Sequence, residues 1–359
     1  MTVIKNDTAL LERVDREKRE QKVVELEGLV GGLECVVINT EINHHEEAAQ
    51  ELLNYTGFKF KEAFKDTHFK TIVLACEGSA DIMVRSRLDD LDPFTDYNRN
   101  PRSYRTPHTR METFIFVTTD INKYFRIQRD RGVEFTTSKI KDYNQYYYVE
   151  TKPSKYTGIS FGIMQWKTEL KSYRRKKASN LEVQLDKPND VYLNDIHELD
   201  HVAVRVRAED RDDAILEFMR CTNYTFDMSI YVENLNSITN VTRLTNATFA
   251  LVFTSGIASV DDVENAGPTE QFIHNYGVRP HHMAFRTENI EEVYEELKRN
   301  GLSFMVELVG KRDQGLKQTF SNMSPYTLLV NEYIHRYDDF KGFFTKNNVT
   351  LLTKATENQ

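Results

Sequence analysis

The sequence predicts an α+β protein built from four β-α-β-β-β modules that pair into two similar open-barrel domains. Three pairs of similar segments recur at nearly the same spacing along the 359 residues. Within each half, strands and amphipathic segments also follow in the same order. Self-similarity at a fixed period is typical of repeated structural units, and a chain of this length is long enough for two domains.

The most extensive pair of segments begins with an apolar strand and continues into an amphipathic helix. It consists of RMETFIFVTTDINKYFRIQRDRGVEF (110–135) and RPHHMAFRTENIEEVYEELKRNGLSF (279–304). The other pairs are LECVVI (33–38) with LDHVAV (199–204), and ISFGIMQ (159–165) with LLVNEYIH (328–335). All three offsets lie near roughly 170 residues, which indicates a duplicated chain.

Each half is itself predicted to contain one module twice, in which a strand leads to a helix and then to two or three strands. The later strands of the first module are HFKTIVLACEG and ADIMVRSR, and SITNVTRLT and TFALVFTSG take their place in the second half. Sheets of such modules carry helices on the outer face and leave a concave interior, where we expect a ligand to bind.

The repeats also set the predicted domain boundaries. These are an N-terminal helical extension at 1–28, a first domain at 29–166, a linker at 167–196, a second domain at 197–343 and a C-terminal segment at 344–359. The linker is polar and contains a basic run from Arg174 to Lys177. We interpret this run as a solvated surface, with an anion site as the alternative.

The composition indicates which binding partners and which cellular compartment to expect. The net charge of −8 argues against nucleic acid as the main partner, and no apolar run reaches the length of a membrane span. The charged N-terminal stretch MTVIKNDTALLERVDREKRE is unlike a secretory signal. The cysteines, Cys35, Cys76 and Cys221, form no CxxC pair, which favours a reducing cytoplasm over a disulfide framework or a cysteine zinc site.

Metal-ligand residue types occupy three equivalent strands in only one half of the repeat. The second half has His201, His282 and Glu332, where the first half has Cys35, Thr113 and Gly162 or a neighbour. Two imidazoles and one carboxylate suit Fe(II), Mn(II) or Zn(II), and they leave three positions open on an octahedral ion. A buried Glu332 would be relieved by a metal; the alternative is a sheet edge that holds this carboxylate in water.

On these residues the chain resembles the vicinal oxygen chelate superfamily, and its second half resembles the family of 4-hydroxyphenylpyruvate dioxygenase and 4-hydroxymandelate synthase. The segments LDHVAV, GVRPHHMAF and KQTFSNMSPYTLLVNEYIHR are similar to that family's IDH, GVQHIA and QTFS…FFEIIQR stretches. The resemblance spans both halves in architecture, and it is specific from about 197 to 345.

The resemblance implies a glyoxalase-like fold, a metal-free first domain and a catalytic second domain. It makes His201, His282 and Glu332 the ligands of Fe(II). The implied reaction uses O2 to decarboxylate and hydroxylate an aromatic 2-oxo acid, as in tyrosine catabolism. From the resemblance together with the composition, we expect a cytoplasmic protein that is a homo-oligomer, a dimer or a tetramer, and that binds neither nucleic acid nor a membrane.

The resemblance also implies a substrate pocket. Gln318 would bind the substrate ring or its hydroxyl, and Phe320 would pack beside the metal. Thr254 or Ser255 would replace an asparagine that shapes the family's pocket. In the covering stretch KGFFTKNNVTLL, the predicted aromatic and apolar contacts are Phe343 or Phe344 and then Val349.

His281 departs from the family, which has glutamine immediately before the second ligand. Because neighbouring side chains on a strand point to opposite faces, His281 and His282 are not expected to reach one metal together. Three alternatives remain for His281: a contact of the ligand, a substrate-facing position at the strand's entry, or the surface.

Two other functions are compatible with the sequence. A ring-cleaving extradiol dioxygenase of the same superfamily would use the same three ligands with a further histidine for proton transfer, His281 or His335. A metal-free binding or sequestration protein of the same fold would use no metal, because a fold does not guarantee chemistry.

Overall fold

The computed structural model describes residues 3–260, 266–337, 340–357 and 359. The N-terminal part contains α1 (Thr8–Val23), β1 (Val30–Asn39), α2 (His45–Tyr55), β2 (Lys59–Lys65), β3 (Phe69–Ala75), β4 (Asp81–Arg87), β5 (Arg110–Thr118), α3 (Ile121–Asp130), β6 (Lys141–Asp142), β7 (Tyr146–Glu150), β8 (Ser160–Trp166) and β9 (Ser179–Asn180). The C-terminal part contains β10 (Ile196–Arg205), α4 (Arg211–Cys221), β11 (Thr225–Val232), β12 (Ser237–Arg243), β13 (Ala250–Ser255), α5 (Pro268–Tyr276), β14 (Arg279–Thr287), α6 (Ile290–Arg299), β15 (Val309–Lys311), β16 (Leu316–Phe320), β17 (Val330–Arg336) and α7 (Lys346–Ala355).

The two halves have the same sheet topology. The first sheet runs in the order β6-β7-β8-β5-β1-β4-β3-β2, with β9 added at the β2 edge, and the second runs β15-β16-β17-β14-β10-β13-β12-β11. In each module the first and last strands pair in parallel, and the two modules of a half join through antiparallel first strands. The predicted duplicated fold of four β-α-β-β-β modules is therefore confirmed.

Two helices distinguish the second half from the first. Helix α5 lies between β13 and β14, and α7 follows β17. Helix α5 contacts β10, β13 and α7, whereas α7 contacts β11, β15 and β16. They flank the concave face of the second sheet, so this half has a covered interior.

The interior of the first half is filled by its own side chains. Its apolar cluster includes Cys35, Tyr146, Tyr148 and Tyr173, and Tyr173 comes from the predicted linker. The Tyr173 ring is buried, and its hydroxyl donates a hydrogen bond to Asp81 Oδ2 at 2.8 Å. The linker therefore closes the first barrel, since solvated chain would not bury an aromatic ring.

The basic run of the linker is only partly solvated. Arg175 pairs with Asp66 at 3.0 Å and lies 4.7 Å from the ring centre of Tyr143, while Lys176 and Lys177 are exposed. The interpretation of the whole run as a solvated surface is therefore wrong at Arg175, which is held against the first barrel by an ion pair and an aromatic ring.

The halves pack through one shared core between the outer faces of their sheets. Aromatic contacts cross it, such as Phe58 with Phe285 and Phe116 with Phe218. Two arginines from equivalent strands also cross the junction: Arg110 donates to the backbone carbonyl of residue 278, and Arg279 donates to that of residue 109. Among the described residues, no helix is long and apolar enough to cross a membrane.

Candidate metal centre

Three side chains on adjacent strands of the second sheet converge on one point. His201 on β10, His282 on β14 and Glu332 on β17 each offer a ligand atom, and these atoms lie within 4.8 Å of one another. His201 and Glu332 flank Ala284 in the pairing register, and His282 is two residues from Ala284 on the same strand. The structure thus brings together all three predicted ligands.

The carboxylate is buried between the two imidazoles. Glu332 is 1% exposed, so the alternative that holds it in water at a sheet edge is wrong. Its Oε2 lies 3.1 Å from His201 Nε2 and 3.2 Å from His282 Nε2, whereas Oε1 has no hydrogen-bond partner among the described residues. This donor set, with one unmatched buried oxygen, fits a divalent cation.

Two opposing effects set the protonation of the cluster. Burial favours the neutral forms, and the attraction between the carboxylate and the imidazoles favours the charged forms. Burial alone would raise the pKa of Glu332, but attraction and hydrogen bonds from the two imidazoles lower that pKa to about 2. Burial would likewise lower the pKa of His201, but Glu332 and Asp200 raise it to about 9. The carboxylate is therefore anionic at neutral pH, as a metal ligand must be.

A β-bulge places a partner behind the first histidine. The β10–β14 register shifts between Leu199 and His201, which leaves Asp200 as the extra residue. Asp200 Oδ1 lies 2.7 Å from His201 Nδ1, and Arg336 binds both oxygens of Asp200 at 2.5 and 3.0 Å. A carboxylate on Nδ1 fixes the ring and leaves Nε2 free to bind a metal.

A second bulge resolves the position of His281. The register shifts between Ala203 and Val204, and the extra residue on β14 is His281. Strict alternation fails at a bulge, so the rings of His281 and His282 meet with their Nδ1 atoms 2.8 Å apart. The surface alternative is wrong, because His281 is fully buried.

The contacts of His281 indicate its tautomer. When Nε2 of His282 is unprotonated, as binding of a metal requires, the ring proton is on Nδ1 and is donated to Nδ1 of His281. Nε2 of His281 then carries the proton and donates to Gln359 Oε1 at 2.6 Å. Burial holds the pKa of His281 well below its usual range, so this ring is a neutral link between a candidate ligand and Gln359.

A small cavity of about 40 Å³ adjoins the cluster. Of the residues predicted to shape a pocket, those that line it are Thr254, Gln318, Phe320, Phe344 and Val349. Pockets that bind small molecules usually measure about 300–1,000 Å³, so a cavity of this volume does not hold an aromatic acid. A substrate of that size can enter only if side chains that line the cavity, such as Val349 and Leu352, change position.

Two predicted pocket residues are held against the cluster. Gln318 is 1% exposed, and its Oε1 has no hydrogen-bond partner in the part of the chain that is described. The ring of Phe320 lies 4.7 Å from that of His282. Gln318 therefore presents an unsatisfied acceptor to the cavity, and Phe320 fixes one imidazole by packing.

The remaining predicted residues divide between the cavity and its surroundings. Phe343 and Phe344 both pack edge-on against His201, with ring centres 5.5 and 5.2 Å away, but only Phe344 lines the cavity. Ser255 follows Thr254 on β13, and its hydroxyl donates to the carbonyl of Gly256 at 3.1 Å. The structure therefore favours Thr254 over Ser255, and Phe344 over Phe343, as a pocket residue.

No family model and no curated protein matches this chain by sequence. By structure it is similar to a triple mutant of 4-hydroxymandelate synthase from Streptomyces coelicolor, with a TM-score of 0.70 and 16% identity over 92% of this chain and 98% of that chain. It is also similar to a xylose isomerase-like TIM barrel/4-hydroxyphenylpyruvate dioxygenase fusion protein, with a TM-score of 0.65 and 12% identity over 96% of this chain and 57% of that chain. The chain has the vicinal oxygen chelate fold.

The duplicated vicinal oxygen chelate fold also shows why the first half holds no such cluster. Cys35, Ile115 and Gly162 lie in one row, as His201, Ala284 and Glu332 do. A Cβ added at Gly162 would lie 2.7 Å from the hydroxyl of Tyr148. That tyrosine therefore fills the space that a carboxylate would need, and His201, His282 and Glu332 form the one ligand cluster found among the described residues.

Both bulges recur in the first half of this vicinal oxygen chelate fold. Register shifts on either side of the β1–β5 pairing leave Glu34 and Glu112 as extra residues, at the places of Asp200 and His281. Glu34 accepts a hydrogen bond from Trp166 at 2.9 Å, and Glu112 pairs with Arg87 at 2.8 Å. The doubled side chains are therefore a property of the module and do not depend on the histidines.

Several residues around the cluster were not identified from the sequence. These are Asp200, Arg205, Thr239, Arg336 and Gln359. The two-residue period of a strand does place Arg205 on the face of His201, which was a usable signal. The contacts of Asp200 depend on a bulge, and those of Gln359 on the path of the last helix, so neither had a signal in the sequence.

Proposed function

We propose that the chain is an Fe(II)-dependent dioxygenase, similar to 4-hydroxyphenylpyruvate dioxygenase, that oxidatively decarboxylates and hydroxylates an aromatic 2-oxo acid. The observation that carries this proposal is the buried cluster of His201, His282 and Glu332 beside a closed cavity. Two histidines and one carboxylate with open positions are typical of non-haem Fe(II) oxygenases. The two structural neighbours, by their names, add support.

Bound iron would supply the oxygen chemistry and would bind the 2-oxo acid through two oxygen atoms. The protein would orient the substrate and exclude water. His201, His282 and Glu332 would hold the metal from the sheet side. Asp200 and His281 would keep the Nε2 atoms directed inward. With the cavity closed, the surrounding apolar side chains would exclude water from the reacting groups.

An anaerobic titration with Fe(II) tests the proposal. We expect one iron per chain, and a charge-transfer absorption band when an aryl-pyruvate is added. Turnover with O2 should then release CO2 and a hydroxylated product. A protein that binds no iron, or that binds iron but gives neither band nor turnover with a panel of aryl-pyruvates, would contradict the proposal.

We expect Gln318→Leu to weaken binding of 4-hydroxyphenylpyruvate by roughly 10-fold or more, while phenylpyruvate loses much less. Among the described residues the buried Oε1 of Gln318 has no hydrogen-bond partner, so it can accept the proton of a ring hydroxyl. Dissociation constants of both acids from the iron-loaded protein, measured without O2, check this. Equal losses for both would show that this side chain does not contact the ring hydroxyl.

We expect His281→Leu to lower iron affinity by about 10- to 100-fold, the usual cost of losing an outer hydrogen-bond partner. His282 Nδ1–H would lose its acceptor. His281→Gln is the matched control, because an amide oxygen can accept the same hydrogen bond and should restore most of the affinity. Competition with a metal chelator measures both.

The low pKa of His281 gives the same pair of proteins a second readout. Because burial keeps this ring neutral, the wild type and His281→Gln should have the same pH–rate profile between about pH 6 and 7, where an ordinary imidazole titrates. A titration in that range that the Gln variant lacks would contradict the assignment of His281 as a neutral positioning residue.

The extradiol alternative gains no support from the placement of its candidate acid–base groups. His281 is enclosed between His282 and Gln359. His335 donates to the carbonyl of Thr287 at 2.8 Å, and neither histidine lines the cavity. Ring cleavage of a catechol would favour this alternative, and a metal-free binding protein would be recognised by the absence of iron in the titration.

We also propose that the protein is cytoplasmic and a homo-oligomer, a dimer or a tetramer, whose small-molecule partners are the 2-oxo acid and O2. Cys35 and Cys221 are buried as free thiols, and Cys76 is also free, which suits a reducing compartment. Sedimentation of the purified protein tests the assembly, and a monomer at micromolar concentration would contradict it.

A further inference from the structure

A buried arginine lines the same cavity as the candidate ligands. Arg205 is the last residue of β10, four positions after His201 and therefore on the same face of the strand. It is 4% exposed and lines the cavity with His282 and Glu332. In the first half the equivalent residue is Asn39, which pairs with β4 as Arg205 pairs with β13. The module therefore does not require a cation at this place.

The guanidinium is held by neutral groups on the two helices found only in the second half. Nη1 donates to the hydroxyl of Thr269 on α5 at 2.8 Å, and Nη2 donates to that of Thr356, just after α7, at 3.0 Å. The ring of Phe272 lies 5.4 Å from the guanidinium carbon. These contacts fix the direction of the cation through neutral hydroxyl groups and an aromatic ring.

No carboxylate among the described residues forms an ion pair with Arg205. Two other buried arginines have such partners, namely Arg87 with Glu112 and Arg211 with Asp7. Arg110 and Arg279 are buried without one, but both donate to backbone carbonyls at the junction of the halves and neither lines the cavity. Burial lowers the pKa of Arg205 to about 9, and the negative charge of Glu270 opposes this shift without forming an ion pair. A buried cation without an anion is costly, and a ligand that enters the cavity can supply the missing charge.

We infer that Arg205 binds a second carboxylate of the substrate, at the end remote from the metal, so that the substrate is a dianionic aromatic 2-oxo acid. This inference depends on the proposed function only for the 2-oxo acid group, which would bind at the metal. The Cα atoms of His201 and Arg205 are about 13 Å apart at roughly 3.3 Å per residue. Both residues line or adjoin the cavity, and their backbone positions are far enough apart for an aromatic ring to lie between them once side chains that line the cavity have changed position.

Two probes that differ only in charge test the inference. They are 4-carboxyphenylpyruvate and its 4-carbamoyl analogue, and calorimetry without O2 measures their affinity for the Fe(II)-loaded protein. We expect the carboxylate to bind at least about 30-fold more tightly, as a charge-assisted bidentate contact predicts. In Arg205→Gln the preference should fall below about 3-fold, and the affinity for phenylpyruvate should change by less than about 3-fold.

The control is Arg279→Gln. Arg279 pairs with Arg205 across the sheet and is equally buried, but it donates to the backbone of the first half and does not line the cavity. This variant should keep the preference for the carboxylate. If Arg205→Gln fails to fold by circular dichroism, Arg205→Lys serves instead; it keeps the charge without the planar fork and should give an intermediate preference.

The outcomes separate the two proposals. Equal affinities of the wild type for the two probes, or a preference that survives in Arg205→Gln, would overturn the role of Arg205. An equal loss of phenylpyruvate and 4-carboxyphenylpyruvate would do the same, because Arg205 would then contact the 2-oxo acid itself. Absence of the charge-transfer band with every probe, despite calorimetric binding that prefers the carboxylate, would overturn the dioxygenase assignment and support the anion site.

Discussion

Replacing Glu332 by alanine is expected to abolish stoichiometric iron binding and to reduce turnover below detection. Glu332 is the only carboxylate in the candidate ligand set, and both imidazoles approach its Oε2. Its loss removes the negative charge that attracts the cation, which should cost far more than the ~10- to 100-fold of an outer-contact mutation. Metal analysis after gel filtration measures the effect, and His201→Ala and His282→Ala should behave alike.

The first half provides the controls for this experiment. Cys35→Ala and Thr113→Ala alter the places equivalent to His201 and His282, so iron content should stay at the wild-type value in both. We also expect Glu332→Ala to keep the far-ultraviolet circular dichroism of the wild type, because the first half folds on the same topology around no cluster. Full iron content and full turnover in any one ligand variant would show that the metal is bound elsewhere.

Removing the C-terminal segment 344–359 is expected to leave iron bound but to lower coupled turnover by at least about 100-fold, the scale of loss when reacting groups are poorly positioned. The segment supplies Phe344, Val349 and Leu352 to the cavity wall. Without them, water would reach the cluster. Parallel measurement of O2 consumed and CO2 released should show oxygen uptake that no longer matches decarboxylation.

A pair of point variants makes the same test without shortening the chain. Leu352 faces the cavity and is 4% exposed, whereas its neighbour Leu351 is 40% exposed. Leu352→Ala should therefore weaken coupling between O2 uptake and CO2 release, and Leu351→Ala should not. If the shortened protein retained coupled turnover, the segment would not be the cover of the active site.

The fold and the candidate ligands were predictable because the chain contains two similar halves that can be aligned with each other. Aligning the halves isolated His201 and His282 against Cys35 and Thr113, and only one copy held residues able to bind a metal. The strand pairing then confirmed the expected equivalence of Glu332 with Gly162. In a chain without the duplication, the same three residues could not have been compared with equivalent positions that lack metal-ligand residue types.

The surroundings of the cluster were not predictable for physical reasons. A bulge depends on how two strands pair. The local sequence therefore did not predict that Asp200 and His281 would lie beside the candidate ligands. Gln359 meets His281 only because the last helix crosses the sheet. Arg205 lies on the face that the strand period predicts, but its contacts with Thr269 and Thr356 depend on elements far along the chain, which sequence alone does not locate.

Because both bulges recur in the first half, a second cluster of metal-ligand residues could be engineered there. The same pair of bulges is present twice, and side chains distinguish the half with the candidate ligands from the half whose interior is filled. A second centre could be grafted with Cys35→His, Thr113→His and Gly162→Glu, combined with Tyr148→Gln to vacate the space that a Cβ at position 162 would otherwise share with the tyrosine hydroxyl. Such a chain would carry two candidate centres on one scaffold, one covered by α7 and one by the linker tyrosine Tyr173, so that the effect of the cover on metal chemistry could be compared within a single molecule.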